Sequence, residues 1–333
     1  MKILITGGAG FIGSQLGYNL HKKGHEILLL DNMSYGNKDN LEIDGKTFGT
    51  FIEDDIRNKS FFEYTKNVDY IYHFAGVAPL PDCQEDPRNA IDNNVAGTAN
   101  ILEAARINGV KRVIFASTSA VYENHTEYPA NESDDVHPDL IYATSKRQCE
   151  LLCNSFSNVY GLPTVILRFF NVYGPHQDFR RKQPPLTGYL IKTFLQNQTP
   201  TLFSDGEQRR DYVYIDDLIN MCEIVMTHKN AVGEKFNVSS GNTYSVNEIY
   251  DIISKCFDKD VSPNYNVPSK FWDSYPHLFE GGYPLNKKRL EKEVLKFSLG
   301  DTTKSKTKLG WETKITLEEG MKTCVEYAKK IGL

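Results

Sequence analysis

Cysteine is scarce. The chain has six in 333 residues, at positions 83, 149, 153, 222, 256 and 324. They are too few and too scattered for a disulfide framework. Long hydrophobic runs are missing as well. Nothing approaches the roughly 18 apolar residues of a membrane helix, and the mean hydropathy is −0.45. The chain opens directly on a strand pattern at Lys2, without the charged and apolar regions of a signal peptide. Basic charge is not in excess: Lys+Arg 38 against Asp+Glu 43 gives −5. Phosphate-backbone recognition needs a basic surface, so no nucleic-acid partner is expected, and no membrane. What these absences leave is a cytoplasmic, metabolite-handling protein, and at about 150 residues per domain its length suggests two domains.

What is present begins with alternation. Apolar runs at Lys2–Ile5, Glu26–Leu30, Thr50–Glu53, Tyr70–Phe74, Arg112–Ala116 and Thr164–Phe169 read as strands. Helical patterns fall between them at Gly10–Lys23, Ser60–Lys66, Arg88–Asn108 and Ile141–Tyr160. This alternation predicts an α/β fold: a doubly wound parallel sheet of Rossmann type with helices on both faces. After Asn171 the pattern changes to a Pro-rich basic loop at Gly174–Pro185 and shorter elements. The expected division is a first domain over 1–171, to which part of 213–238 returns, and a smaller α/β substrate-binding domain over 172–333.

The strand KILIT runs into GGAGFIGS, with glycines at Gly7, Gly10 and Gly13. A helical pattern follows, and Asp31 ends the next apolar run. Gly7 permits a tight turn, Gly10 lets backbone approach a pyrophosphate, and Gly13 permits close helix–strand packing. The helix N-terminus offers free N–H groups to phosphates. A carboxylate at Asp31 accepts from a ribose diol and repels a ribose phosphate, which points to NAD rather than NADP. Phe11 and Ile12, beside Gly13, and Asn32, after Asp31, complete that part of the cofactor set. Asp55 and Ile56 close the third strand, where an adenine amine would lie, and Ala75 and Gly76 leave room after the fourth. His73 reads as a packed strand-end histidine. Cys149 and Cys153 read as helix-packing residues.

Tyr142 and Lys146 fall in YATSK at the start of a helical pattern, after the strand-end Ser117-Thr118-Ser119. The i, i+4 spacing puts both side chains on one helix face. An ammonium beside a phenol favours the phenolate and lowers its pKa from about 10. Such a tyrosine removes a proton from a sugar hydroxyl that Thr118 orients, while hydride leaves for a nicotinamide.

These blocks resemble an extended short-chain dehydrogenase/reductase of the NAD-dependent nucleotide-sugar epimerase/dehydratase family. The resemblance runs from about residue 2 to 327 and is carried by GGAGFIGS, DNMSYGNKDNL, EDDIR, HFAG, NNVAGTANILEAA, STSAVY, YATSK, RFFNVYGP, SDGEQRRDYVYIDD and DTTKSKTKLGW. It implies that catalysis falls to Thr118, Tyr142 and Lys146, with Tyr142 and Lys146 also touching the cofactor. Asn94 would buttress the site and Ser117 would lie beside the nicotinamide. Asn171 and Arg210 would contact a nucleotide diphosphate, with Asp211 supporting that loop. It further implies a homodimer through the helices at Arg88–Asn108 and Ile141–Tyr160.

The resemblance also separates reactions. Family 4,6-dehydratases carry Asp-Glu after the catalytic threonine, and decarboxylating relatives a glutamate at the second position. Here those positions are Ser119 and Ala120. A 4-epimerase acting through a transient 4-keto sugar is the expectation. A net dehydrogenase or 4-ketoreductase uses the same residues, and a dinucleotide-sensing protein without turnover would be expected to lack the Tyr/Lys pair. The chain departs from the family pattern in places. An Arg-x-Gly-Asp block is missing near residue 290, where Arg289 would substitute. Glu123 replaces a usual glycine. Arg180, Arg181 and Lys182 add charge to the 174–185 loop.

Overall fold

The computed structural model describes residues 1–181, 184–259 and 261–333. Lys182 therefore lies outside the described residues. The centre of the molecule is a seven-stranded sheet. Its strands are β1 (Lys2–Thr6), β2 (Glu26–Asp31), β3 (Thr50–Glu53), β4 (Tyr70–His73), β5 (Arg112–Thr118), β6 (Thr164–Phe169) and β7 (Lys235–Val238). The spatial order is β7-β6-β5-β4-β1-β2-β3, and every pairing is parallel. Strand order reverses between β1 and β4. In such sheets the crevice beyond the strands' C-terminal ends at the reversal is where ligands bind.

The strands are apolar on both faces because both are covered. Ile3 and Ile5 on β1, Leu29 on β2 and Leu167 on β6 face one cluster. Into it pack Leu16 and Leu20 of α1 (Phe11–Lys22) and Leu218 and Val225 of the helix Ile215–Thr227. Leu4, Leu30 and Ile166 face the opposite cluster, with Ile101 and Leu102 of α2 (Gly97–Ile107) and Cys149 and Cys153 of α3 (Ile141–Tyr160). Burying one such aliphatic side chain stabilises by roughly 1.5–3 kcal/mol. A one-residue slip would exchange the faces of a whole strand, so the register is firmly set.

The seventh strand arrives late. After β6 the chain leaves the sheet, forms Asn171–Tyr173 and Tyr212–Tyr214 as a separate parallel pair, and returns through Ile215–Thr227 to β7. The C-terminal part is bound to this returning helix: Trp311 Nε1 donates to the Asp217 carbonyl at 3.1 Å, and the Asp217 carboxylate accepts from the amides of Lys314 and Ile315. Among the described residues no helix is long and apolar enough to cross a membrane.

Candidate active site

The crevice predicted by strand order holds a cleft of about 630 Å³. Its floor is the turn after β1. Gly7 has φ +70°, and a Cβ on Gly13 would lie 2.2 Å from the Gly7 carbonyl oxygen, so neither position accepts a side chain without moving backbone. Gly10 caps α1 in extended conformation with no side-chain cap. The first amides of α1 therefore face the cleft uncapped, a positive helix end suited to phosphate. Phe11 and Ile12 line the same wall.

Asp31 ends β2 at the far end of the cleft, 8% exposed. Its carboxylate accepts from the amides of Ala9 (3.1 Å) and Met33 (2.9 Å). Burial pushes its pKa up, and those two amides oppose the shift. A carboxylate has about four acceptor positions, so lone pairs remain for a diol. Asn32 and Ile56 line the cleft; Asp55 lines a smaller polar hollow alongside. Asp55 is gripped by Arg57 at 2.7 Å, which holds its carboxyl down at about 2, and it accepts from Asn32 Nδ2 at 2.9 Å. Ala75 and Gly76 border the cleft after β4. Glycine cradle, uncapped helix and strand-end carboxylate together fit a dinucleotide.

Thr118, at the end of β5, and Tyr142 and Lys146, on the first two turns of α3, meet at the centre of the cleft. The Thr118 side chain accepts from the Ala120 amide at 3.1 Å and is hydrogen bonded to the Tyr142 phenol. The ionisation differs from the sequence expectation. Burial pushes the phenol up to about 12, the Thr118 contact opposes this, and Lys146 adds no lowering. The physical reason is where the ammonium goes. Lys146 Nζ donates to the Ala116 carbonyl at 2.9 Å and sits 4.9 Å from the centroid of the Phe115 ring. Burial also lowers its own pKa.

Two further residues named from sequence stand around this centre. Asn94 lies in a π-helical turn, Asp92–Ala96, that runs into α2. Its side chain bridges both backbone groups of Val77 (2.8 and 3.0 Å) and Ser145 Oγ on α3 (2.9 Å). Ser117 lines the cleft and donates to Glu150 at 2.6 Å. His73 is a buried strand-end residue between Thr6 and Thr98, both at 2.9 Å.

The residues expected at a diphosphate stand apart from the cleft lining. Asn171 Nδ2 donates to the Asp211 carbonyl at 2.7 Å. Arg210 donates to the carbonyls of Glu293 (3.0 Å) and Val294 (3.1 Å). Asp211 accepts from Ser239, Ser240 and the amides of Gly241 and Gly300, and burial pushes it up to about 6 against those contacts. Arg289 is surrounded by carboxylates: Glu293 at 2.9 Å, Glu123 at 3.1 Å and Asp139 at 3.5 Å. In the basic loop Arg180 pairs with Asp39 at 2.6 Å, while Arg181 lines the cleft.

Sequence reasoning passed over three residues here. Gln177 is 3% exposed and lines the cleft; Thr187 holds its oxygen at 2.8 Å, and its Nε2 has no partner among the described residues. Glu150 and Arg168 form a wholly buried bidentate pair, both bonds 2.8 Å, directly under Ser117. Burial opposes ionisation of Glu150, but Arg168, Ser117 and Arg147 together hold the carboxyl below its usual range. A signal existed: an arginine inside an apolar strand needs a buried partner, and Glu150 follows Lys146 by four residues.

Comparison with known proteins places this arrangement. A profile described as the NAD dependent epimerase/dehydratase family matches residues 3–239. A putative UDP-glucose 4-epimerase of Methanocaldococcus jannaschii is 33% identical over 330 residues, covering 98% of each chain. A UDP-N-acetyl-alpha-D-glucosaminuronate decarboxylase of Bacillus cytotoxicus is 34% identical over 344 residues, covering 99% of this chain and 98% of the relative. Among solved structures, the UDP-glucose 4-epimerase of Thermotoga maritima with UDP-glucose superposes with a TM-score of 0.87 at 32% identity, covering 99% of each chain.

Proposed function

Since the chain belongs to the NAD-dependent epimerase/dehydratase family, and its cofactor is therefore NAD, we propose that it is a nucleotide-sugar 4-epimerase working through a transient 4-keto sugar. The observation that carries this reading is the meeting of Thr118, Tyr142 and Lys146 in the cleft that the Gly7–Gly13 turn and Asp31 also line. Gly10, Phe11, Ile12 and Gly13 would hold the pyrophosphate and Asp31 the adenosine ribose. Asn32, Asp55 and Ile56 would border the adenine. Ala75, Gly76 and Ser117 would flank the nicotinamide end.

Bound NAD supplies the acceptor for a hydride from the sugar and returns it. The chain's own residues manage the proton. Thr118 orients the C4 hydroxyl, and Tyr142 takes its proton and later gives one back. Lys146 has two ammonium hydrogens beyond its bond to Ala116, for a cofactor ribose and the developing phenolate. Asn94 holds the Val77 backbone and α3 in register around them. Positions 119 and 120, Ser and Ala, bring no carboxyl to drive loss of water or carbon dioxide. Asn171 and Arg210 would engage the diphosphate of the sugar nucleotide after giving up their present backbone acceptors; the charge of Arg289 is already met by Glu123, Asp139 and Glu293, so it would not serve as the main phosphate ligand.

Assembly as a homodimer belongs to this reading. Ile91 and Leu151 are exposed at 43% and 50%, and Ile91, Val95, Ala99 and Leu152 line a shallow groove on the face formed by the helices around 87–107 and α3. Light scattering at micromolar concentration should report twice the 37.9 kDa chain mass; a monomer contradicts the dimer.

The test of function is a panel of UDP-, dTDP- and GDP-sugars with the purified protein. A C4 epimer forming without net NADH supports the proposal. A 4-keto-6-deoxy product overturns it, and stoichiometric NADH turnover assigns the protein to the net oxidoreductases instead.

A further inference from the structure

Helix α3 presents Tyr142 from its first turn, yet Leu140 at its N-cap has no side chain able to accept a hydrogen bond. The amides there are satisfied from outside the helix. Glu123 Oε1 accepts from the backbone N–H of Asp139 and from that of Leu140 at 2.8 Å. Gln84 Oε1 accepts from the N–H of Ile141 at 2.9 Å. The Glu123 side chain is 1% exposed, and its second oxygen lies 3.1 Å from Arg289 Nη2.

Arg289 sits on a short helix, Lys287–Val294. The adjacent Leu290 packs with Leu140 in a small separate core that includes Trp272, Tyr275 and Leu278. The entry to α3 is therefore held twice by residues 268–294: once through apolar contact at Leu140, once through a carboxylate that bridges the 139–140 amides to Arg289. Helix starts whose free amides are claimed by an acid are held more firmly than uncapped ones.

We infer that Glu123 is a positioning residue for Tyr142, and that through Glu123 and Arg289 the 268–294 segment sets the placement of the first turn of α3. This role rests on the epimerase reading for the duty of Tyr142; the grip on the helix does not. A displacement of about 1 Å at a reacting group costs on the order of a hundredfold in rate, so a loosened first turn is read in kcat before KM.

The test compares Glu123→Ala and Glu123→Gln with wild type, full length and with NAD added. Hydrogen exchange is followed in peptides spanning 136–146 and 285–295, and kinetics on a sugar nucleotide that the wild type epimerises. Glu123→Ala should speed exchange in both peptides and lower kcat by at least about tenfold, with KM moving less than about threefold. Glu123→Gln keeps the acceptor for the 139–140 amides and loses the charge facing Arg289. It should restore protection of 136–146 and most of kcat, while 285–295 still exchanges fast. Unchanged exchange or unchanged kcat in Glu123→Ala overturns the inference, as does a Glu123→Gln no better than Glu123→Ala. If Glu123→Ala does not fold, Arg289→Ala replaces it: 285–295 should exchange faster, and wild-type exchange there overturns the coupling. A wild type that epimerises nothing defeats the functional reading, whereas the exchange pattern separately decides the grip.

Discussion

Tyr142 shows how far burial moves a single group. Its phenol is pushed up to about 12, with the Thr118 contact opposing. Without ligand it should stay neutral at pH 10, where a free tyrosine is about half ionised. Difference titration of wild type against Tyr142→Phe checks this, and a phenolate signal from Tyr142 below that pH contradicts it. The same substitution should lower turnover by about 10²–10⁴-fold with NAD binding kept. Asp55 moves the other way: the Arg57 hydrogen bond holds it at about 2, below its ordinary 3.8. A depressed carboxyl stabilises the fold above its unfolded pKa and loses that contribution as pH falls through the folded one. Asp55 is partly exposed, so solvent screening leaves about 1 kcal/mol. The melting-point gap between wild type and Asp55→Asn should be full above pH 4 and close toward pH 2.

At the scale of elements, the parts legible in the sequence were those decided locally. KILIT, EILLLD and RVIFA read as buried strands because apolar residues fill both faces; in the sheet KILIT pairs directly with EILLLD, and RVIFA lies one strand further on, across β4. The Gly7, Gly10 and Gly13 spacing foretold the turn because a Cβ at Gly13 meets the Gly7 carbonyl. What was not legible depends on distant partners. Nothing near Arg289 in sequence reveals Glu123, 166 positions earlier by subtraction of their numbers, as the carboxylate that meets it. The π-helical turn at Asp92–Ala96 leaves no mark in a pattern that reads as one continuous helix. Between elements, the Glu150–Arg168 pair joins α3 to β6 beneath Ser117. Removing one partner of a buried pair strands the other charge and costs about 3–5 kcal/mol. Glu150→Ala should therefore lower the unfolding free energy by that amount in denaturant titration, far more than loss of the exposed Arg106–Glu103 pair.

For the whole molecule, sheet order, cofactor cleft and catalytic constellation come from one feature, the reversal of strand order between β1 and β4. It brings Gly7–Gly13, Asp31, Thr118 and Tyr142 to one crevice though they span 136 positions of chain by their numbers. The substrate side was less legible. Arg210 and Asn171 hold backbone carbonyls here, so their placement follows from the folding of 171–300 and not from a local motif. The account's central claim is that hydride leaves and returns to the same carbon. A nucleotide sugar deuterated at C4, incubated with the NAD-loaded protein and followed by NMR, tests it most directly. The account predicts the C4 epimer with deuterium still at C4 and no net NADH; deuterium lost from C4, or a product that has lost water, would contradict it.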